Sequence, residues 1–340
     1  MTSPVHDGPR APDEDEDPVV LVTARSFGSG ALDPLARLRQ EGYRPVRAGS
    51  RHSLEELRPL LARAVGWIAG TGPVTAEHLA AAPSLRVLAR YGVGVDAVDL
   101  AAAQARGVVV TNTPGANSAA VAEHALALLL AALRGVPAAD RRVRSGDWSP
   151  RVGRELSALT VGVVGLGRVG RGVTQLLRGF GCRLLGHDPW LPPDDPVFGA
   201  VTACGTERMA VEADVVTLHA PGGQCLVDRS WLERSRRPLL LVNTARADLV
   251  DEQAAAESLR SGRLSAFAAD TLAVEATGTR RSPLLAEDLA DRVVVTPHLG
   301  AQTRESVDAM GRTATDDLLA VLAGGEPQHR VRESARAVPR

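Results

Sequence analysis

Short apolar runs alternate with helical spacings along most of the chain. Residues 19–23 read as a buried strand. Residues 32–41 carry apolar positions at helical spacing and stop at Gly42. Residues 54–64 form a second amphipathic stretch, and an apolar strand follows at 66–69. Thr75 is placed to cap a helix over 76–81, which Pro83 ends. Residues 85–89 and 108–111 are again strand-like, separated by a helical piece that closes at Gly107. This repeated β-α-β order predicts a parallel sheet with helices on both faces.

Residues 117–133 break the rhythm. They form a long Ala/Leu segment, apolar nearly all round, with Ser118 available as a cap; such a helix is expected to be buried between domains or subunits. A polar stretch over 141–154 precedes a second β-α-β series. Its strands are expected at 161–164, 183–186, 215–218, 239–242, 266–269 and 293–295, with helices at 170–180, 230–234 and 251–261. A last helix is expected from about 303 to about 322. The predicted class is α/β, with two similar halves. Residues 1–17 are acidic and Pro-rich and are expected to form a disordered leader; residues 326–340 are expected to be a loose tail.

Composition narrows the chemistry. With aromatics at 3% and apolar residues at 44%, the core must be built mostly from Ala, Val and Leu. A formal charge of −1 without a long basic run argues against nucleic acid or an anionic membrane as partner. No apolar run is long enough to suggest a span, and the acidic N-terminus is unlike a secretory signal, so the cytoplasm is the expected location. Cys182, Cys204 and Cys225 lack metal-ligand or disulfide-framework spacing and are expected to be buried, inert thiols; no metal is expected. The chain has no lysine, which excludes Schiff-base chemistry, a Walker-A loop and a Tyr-x-x-x-Lys pair.

Gly165, Gly167 and Gly170 form G-x-G-x-x-G between a Val-rich strand and a helix. That context lets free N–H groups at a helix N-terminus receive a pyrophosphate. Asp188 follows Gly170 by 18 residues, at the end of the next strand. A carboxylate there bonds ribose hydroxyls and repels a 2′-phosphate, which points to NAD rather than NADP.

Three later strand ends carry polar residues: Arg246, then Asp270 and Glu275, then His298. Carboxyl ends of parallel strands line a ligand crevice. Reduction of a 2-keto acid needs a proton donor, which a His supplies. A neighbouring carboxylate orients that His and favours its protonated form. An Arg clamps the substrate carboxylate and polarises the keto oxygen. Taken singly, each of these residues is as readily a structural one; their coincidence beside a nucleotide site carries the reading.

From about Val19 to Pro327 the chain resembles the D-isomer-specific 2-hydroxyacid dehydrogenase family, the group that includes 3-phosphoglycerate dehydrogenase. The motifs are A-R-Y-G-V-G-V-D-A-V-D at 89–99, T-N-T-P-G-A-N-S-A-A-V-A-E-H-A-L-A-L-L-L at 111–130, the glycine turn, and the series N-T-A-R, D-x-x-x-x-E and T-P-H-L-G-A. The resemblance implies two Rossmann-like α/β domains with the active-site cleft between them. The first would be discontinuous, holding 18–115 and 300–325 and serving the substrate; residues 116–299 would bind NAD. It implies Arg246, Glu275 and His298 as the catalytic set, with Val93 and Gly94 binding the substrate carboxylate through their amides. It further implies Arg168, Val169, His219, Pro221, Thr244, Asp270 and Gly300 as cofactor contacts beside the glycines and Asp188. Asp270 would meet the nicotinamide carboxamide, and the Ala/Leu helix would form a homodimer contact.

Some positions depart from the family pattern. Ala247 stands where Gly is usual after the Arg, and Thr271, Leu272 and Ala276 replace the usual Val-Phe and Pro. The segment after Pro221, Gly-Gly-Gln-Cys-Leu, is about three residues short. The expected activity is NAD(H)-dependent interconversion of a 2-keto acid and a D-2-hydroxy acid, with a phosphorylated or phosphonate-bearing substrate open. The alternative is an NADH-responsive scaffold on the same fold.

Overall fold

The computed structural model of the chain describes residues 17–277 and 281–332. They fall into two compact units. One takes the described residues up to Ala116 together with those from Arg304 onward; the other takes Asn117–Thr303. The expected leader, apart from Asp17, and the tail beyond residue 332 lie outside the described residues.

The first unit opens with β1 (Val19–Val22), α1 (Pro34–Gln40), β2 (Arg44–Arg47), α2 (Leu54–Leu61), β3 (Ala64–Ala69), α3 (Ala76–Ala80), β4 (Val87–Arg90), α4 (Leu100–Ala105) and β5 (Val109–Thr111). All five strands are parallel, in the order β2-β1-β3-β4-β5. β1 and β4 are buried along their whole length, because a parallel sheet is covered on both faces; that is why they read as unbroken apolar runs. Leu21, Leu57, Leu61, Trp67 and Leu88 centre the core on one face. Asp33 and Asp99 cap α1 and α4, each accepting a first-turn amide at 2.9 Å.

The second unit runs α5 (Ser118–Arg134), α6 (Val136–Arg144), β6 (Thr160–Val164), α7 (Arg168–Arg178), β7 (Arg183–His187), β8 (Thr202–Ala203), α8 (Thr206–Glu212), β9 (Val215–Leu218), α9 (Arg229–Glu233), β10 (Leu239–Asn243), α10 (Glu252–Arg260), β11 (Leu264–Ala269), α11 (Ala273–Thr277) and β12 (Val293–Val295). Its seven strands are parallel, in the order β12-β11-β10-β9-β6-β7-β8. The order reverses between β6 and β9, so the connections from those two strands diverge and leave room for a ligand at their carboxyl ends.

Several local expectations change. Asn117, not Ser118, is the N-cap of α5, and it makes no side-chain cap bond. Within the single chain, Ala120, Ala122, Ala125, Leu128 and Leu129 of α5 are buried, whereas Ala119, Glu123 and Ala127 are exposed. The stretch from 141 is not simply a polar link. Gly135, at φ 62°, ends α5 and starts α6, which runs on to Arg144. Cys182 and Cys204 are half-buried and Cys225 is exposed, so the thiols are not all buried; desolvation still raises the pKa of each.

α12 (Arg304–Leu322) rejoins the first unit, packing on β3 and β4. Arg86 caps it by donating to the carbonyls of Leu322 at 2.8 Å and Val321 at 3.0 Å. The tail expected to be loose from residue 326 is tied down as far as Val331. The buried Asp317 carboxylate accepts the Gln328 amide at 2.8 Å and pairs with His329 Nδ1 at 2.9 Å. Val331 N then donates to Val110 O at 2.8 Å, and Arg330 bridges antiparallel to Thr111. Among the described residues no single helix is long and apolar enough to cross a membrane, and no cluster of three or more His, Cys, Asp or Glu is placed to hold a metal ion.

Candidate active site

At the strand-order reversal, the chain leaves β6 through the glycine turn. Gly165 has φ 86°, and a Cβ there would lie 2.6 Å from Ala220 N. A Cβ at Gly170 would lie 1.9 Å from Gly165 O, so the start of α7 can sit this close to the turn only without a side chain. Gly167 differs: a Cβ there would meet no atom within 4 Å. The protein's own packing therefore does not demand glycine at 167. That open space leaves the backbone there accessible, and the first-turn amides of a helix suit an anionic ligand. Asp188 stands beside the turn: Oδ2 accepts Leu166 N at 2.9 Å and Oδ1 accepts Trp190 N at 3.0 Å. This brings the carboxylate to the glycine turn. Arg168 is exposed and Val169 half-buried at the head of α7.

Beyond β9, His219 bonds the Thr217 hydroxyl through Nε2 at 2.9 Å and the Thr244 hydroxyl through Nδ1 at 3.4 Å. Desolvation pushes its pKa down to about 3, so it is a neutral, positioned ring rather than a proton store. Pro221 leads into the short loop. Gly223 N donates to Asp248 Oδ2 at 2.6 Å, and Leu226 N and Val227 N both donate to Leu249 O at 2.9 Å. The loop is thus folded onto the turn that follows Arg246.

Arg246 is half-buried just past β10. Asn243, 1% exposed at the end of that strand, holds its loop from both sides: Nδ2 donates to Arg246 O at 2.8 Å, and Oδ1 accepts Ala245 N at 3.0 Å. Arg246 Nη1 donates to Ala245 O at 2.9 Å. Ala247 carries no penalty for lacking a glycine's freedom. It begins a 3-10 turn, and the non-glycine residues with positive φ among the described ones are His52 and His298.

His298 and Glu275 come together. His298 Nδ1 and Glu275 Oε1 are 2.8 Å apart, with side chains 39% and 38% exposed. The carboxylate fixes the tautomer with the proton on Nδ1, leaving Nε2 to an incoming group. His298 holds φ 56°, a strained conformation that its surroundings enforce. Asp270 supplies much of that enforcement. Its carbonyl accepts His298 N at 3.1 Å, and its carboxylate accepts Thr296 Oγ1 at 2.5 Å and the amides of Leu299 and Gly300 at 2.7 Å each. Burial alone would raise the Asp270 pKa; His124, Thr296 and those two amides together bring it below the ordinary value. The structure thus directs Asp270 at the turn carrying His298.

Four supporting residues had no role assigned from the sequence: Asn243, Thr296 and His124, which stand inside the quoted motifs, and Glu252, which stands outside them. Glu252 accepts Ala273 N at 2.7 Å and Ser282 Oγ at 2.5 Å, fastening the start of α11 that carries Glu275. His124 Nε2 lies 2.8 Å from Thr296 Oγ1 and 3.3 Å from Asp270 Oδ1. Its signal was visible as the lone imidazole of the Ala/Leu segment. In the first unit, Val93 is 42% exposed and Gly94 half-buried in the turn after β4.

Comparison with known proteins shows what the chain is similar to. The family model described as "D-isomer specific 2-hydroxyacid dehydrogenase, NAD binding domain" matches residues 126–300. A D-3-phosphoglycerate dehydrogenase of Mycobacterium tuberculosis is 42% identical over 256 residues, covering 74% of this chain and 48% of the relative. The chain therefore spans about half the length of the phosphoglycerate dehydrogenases it matches. A glyoxylate reductase of Korarchaeum cryptofilum is 34% identical over 77% of this chain and 81% of the relative. The crystal structure of the TT0316 protein from Thermus thermophilus superimposes with a TM-score of 0.82 at 36% identity, covering 92% of this chain and 100% of the other.

Proposed function

Because the chain belongs to the D-isomer specific 2-hydroxyacid dehydrogenase family and carries its NAD-binding domain, we propose that it interconverts a 2-keto acid and a D-2-hydroxy acid using NAD(H). The observation that carries the reading is the His298–Glu275 pair at 2.8 Å, held beside Asp270 and Thr296 at the strand ends of the NAD-binding unit.

NADH, when bound, would supply the hydride needed at C2 of the keto acid. The protein's part is proton and charge. His298 gives a proton from Nε2 to the oxygen that becomes the alcohol, and recovers it in the oxidising direction. Glu275 holds the ring through Nδ1. The Arg246 guanidinium pairs with the substrate carboxylate and draws electron density from the keto oxygen. The amides of Val93 and Gly94 are further donors for that carboxylate. Gly165, Gly167, Arg168, Val169, Gly170 and Asp188 hold the adenosine and pyrophosphate end. His219, Pro221, Thr244 and Gly300 stand on the nicotinamide side.

The substrate we favour is a phosphorylated 2-keto acid, since the relatives at 42% identity are named phosphoglycerate dehydrogenases; the glyoxylate reductase at 34% makes a small unsubstituted acid the competitor. We further assign a cytoplasmic homodimer, with the exposed Ala119, Glu123 and Ala127 side of α5 at its contact. The test follows NADH absorbance with a panel of 2-keto acids that includes 3-phosphohydroxypyruvate, hydroxypyruvate, pyruvate and glyoxylate, with His298→Ala as the control. Oxidation lost in the control supports the reading. Tight NADH binding with no turnover on any acid would favour a nucleotide-responsive scaffold.

A further inference from the structure

The turn after β4 has an uncommon feature: three successive carbonyls are each held by a different donor. Gly92 O accepts Thr113 N at 3.0 Å. Val93 O accepts Asn112 Nδ2 at 2.8 Å. Gly94 O accepts Arg90 Nε at 2.9 Å. A peptide group is planar and trans, so its C=O and the next residue's N–H point in opposite directions. Holding the three carbonyls therefore aims the N–H groups of Val93, Gly94 and Val95 away from those donors. The Asn112 side chain governs one of these peptide planes, the one that carries the Gly94 amide.

Asn112 is itself well seated without its side chain. Its backbone N donates to His329 O at 3.3 Å, and the His329 ring pairs with the buried Asp317 carboxylate at 2.9 Å. The strand end thus keeps its place through the main chain, and the Asn112 amide group is left to the turn. Arg90 does more than one task, since Nη1 also donates to Ala69 O at 3.1 Å and reaches Gly70 O. Replacing it would disturb a buried cation and two strand ends at once. Asn112 is the cleaner handle on the turn.

We propose that Asn112 is a positioning residue for the substrate: by holding the Val93 carbonyl it aims the Gly94 amide at the substrate carboxylate and so sets the KM for the acid. This rests on the dehydrogenase reading above. Asn112 acts through the Val93 carbonyl, so its loss is expected to weaken capture of the acid and to leave the proton transfer at His298 intact.

Asn112→Asp keeps the size but removes the donor and sets a carboxylate against the Val93 carbonyl; Asn112→Ala removes the donor without adding charge. Both are measured by steady-state kinetics on the best 2-keto acid, by NADH fluorescence titration and by thermal melting. The expected result is a KM raised about tenfold or more in both variants, with kcat within about threefold of the parent. NADH affinity and melting temperature stay near the parent's. A KM unchanged in Asn112→Ala overturns the proposal, even if Asn112→Asp is impaired, because repulsion of an anionic substrate then explains the latter. A KM rise accompanied by equal losses of NADH affinity and melting temperature also overturns it, as a general structural defect. If the parent chain reduces no 2-keto acid, the dehydrogenase reading falls and takes this one with it; a working parent with unaffected variants sinks this proposal alone.

Discussion

Two histidines hold the same strained backbone, at φ 56°, in the two units, and they have opposite chemistry. His52, in the first unit, is 2% exposed, with its ring 5.1 Å from that of Trp67. Its Nδ1 is 3.0 Å from Pro73 O, and His78 Nε2 lies 2.8 Å from its carbonyl. Burial, outweighing the Pro73 hydrogen bond, pushes its pKa down to about 4, so it stays neutral. His298, in the second unit, is 39% exposed and paired with Glu275. Backbone strain therefore does not mark a catalytic residue by itself. Water access and a carboxylate partner separate the histidine we propose as acid/base from the packed one.

The largest break in this comparison comes from His298→Ala, expected to lower kcat about a thousandfold while NADH affinity holds. Near-normal turnover would remove His298 from its role. Glu275→Gln keeps the hydrogen-bond geometry and removes the charge; kcat is expected to fall about ten- to a hundredfold, with little change in KM. An unaffected kcat would mean that exposure alone distinguishes the two histidines. Asn243→Ala frees the Arg246 loop and is expected to cut kcat/KM for the keto acid about tenfold, with NADH titration unchanged. His52→Phe keeps an aromatic ring against Trp67 and is expected to leave turnover within about twofold of the parent.

The same contrast has a pH signature. Between an ordinary value of 6.5 and folded values of about 4 for His52 and about 3 for His219, the unfolded chain binds protons that the folded chain refuses. Their contribution to stability is complete above pH 6.5 and is lost as pH falls through that window. Melting temperature should therefore drop on acidification below 6.5, and His52→Phe should make that limb shallower. An identical limb in the variant would show that His52 is not neutral in the folded chain.

Much of this was readable before the fold was seen. Buried parallel strands such as Val-Val-Leu-Val cannot be mistaken for surface, and the glycine spacing declares its turn. What escaped has particular reasons. β8 is two residues long and exposed, too short to leave a pattern. α6 buries only Ala138 and owes its start to the left-handed Gly135. The tail from 328 to 331 is ordered by a carboxylate on α12, which no local propensity reports. Cys225 is exposed although cysteine is usually buried, because it sits in the short loop after Pro221 rather than on a strand or helix of the core.

The amino-acid sequence by itself determined the alternation of strands and helices, the glycine turn with its Asp188, and the identity of the residues able to move a proton and hold an anion. Those properties reside in side-chain type and spacing, which are local. Only the tertiary structure decided that Asp270 spends its carboxylate on the His298 turn, that Glu252 fastens the start of the Glu275 helix, and that Asn112 reaches the Val93 carbonyl. Each of these is a hydrogen bond between residues about 20 to 30 apart in the chain. Whether such a bond forms depends on where the sheet delivers two strand ends, and that is fixed by packing and register rather than by any pattern along the chain.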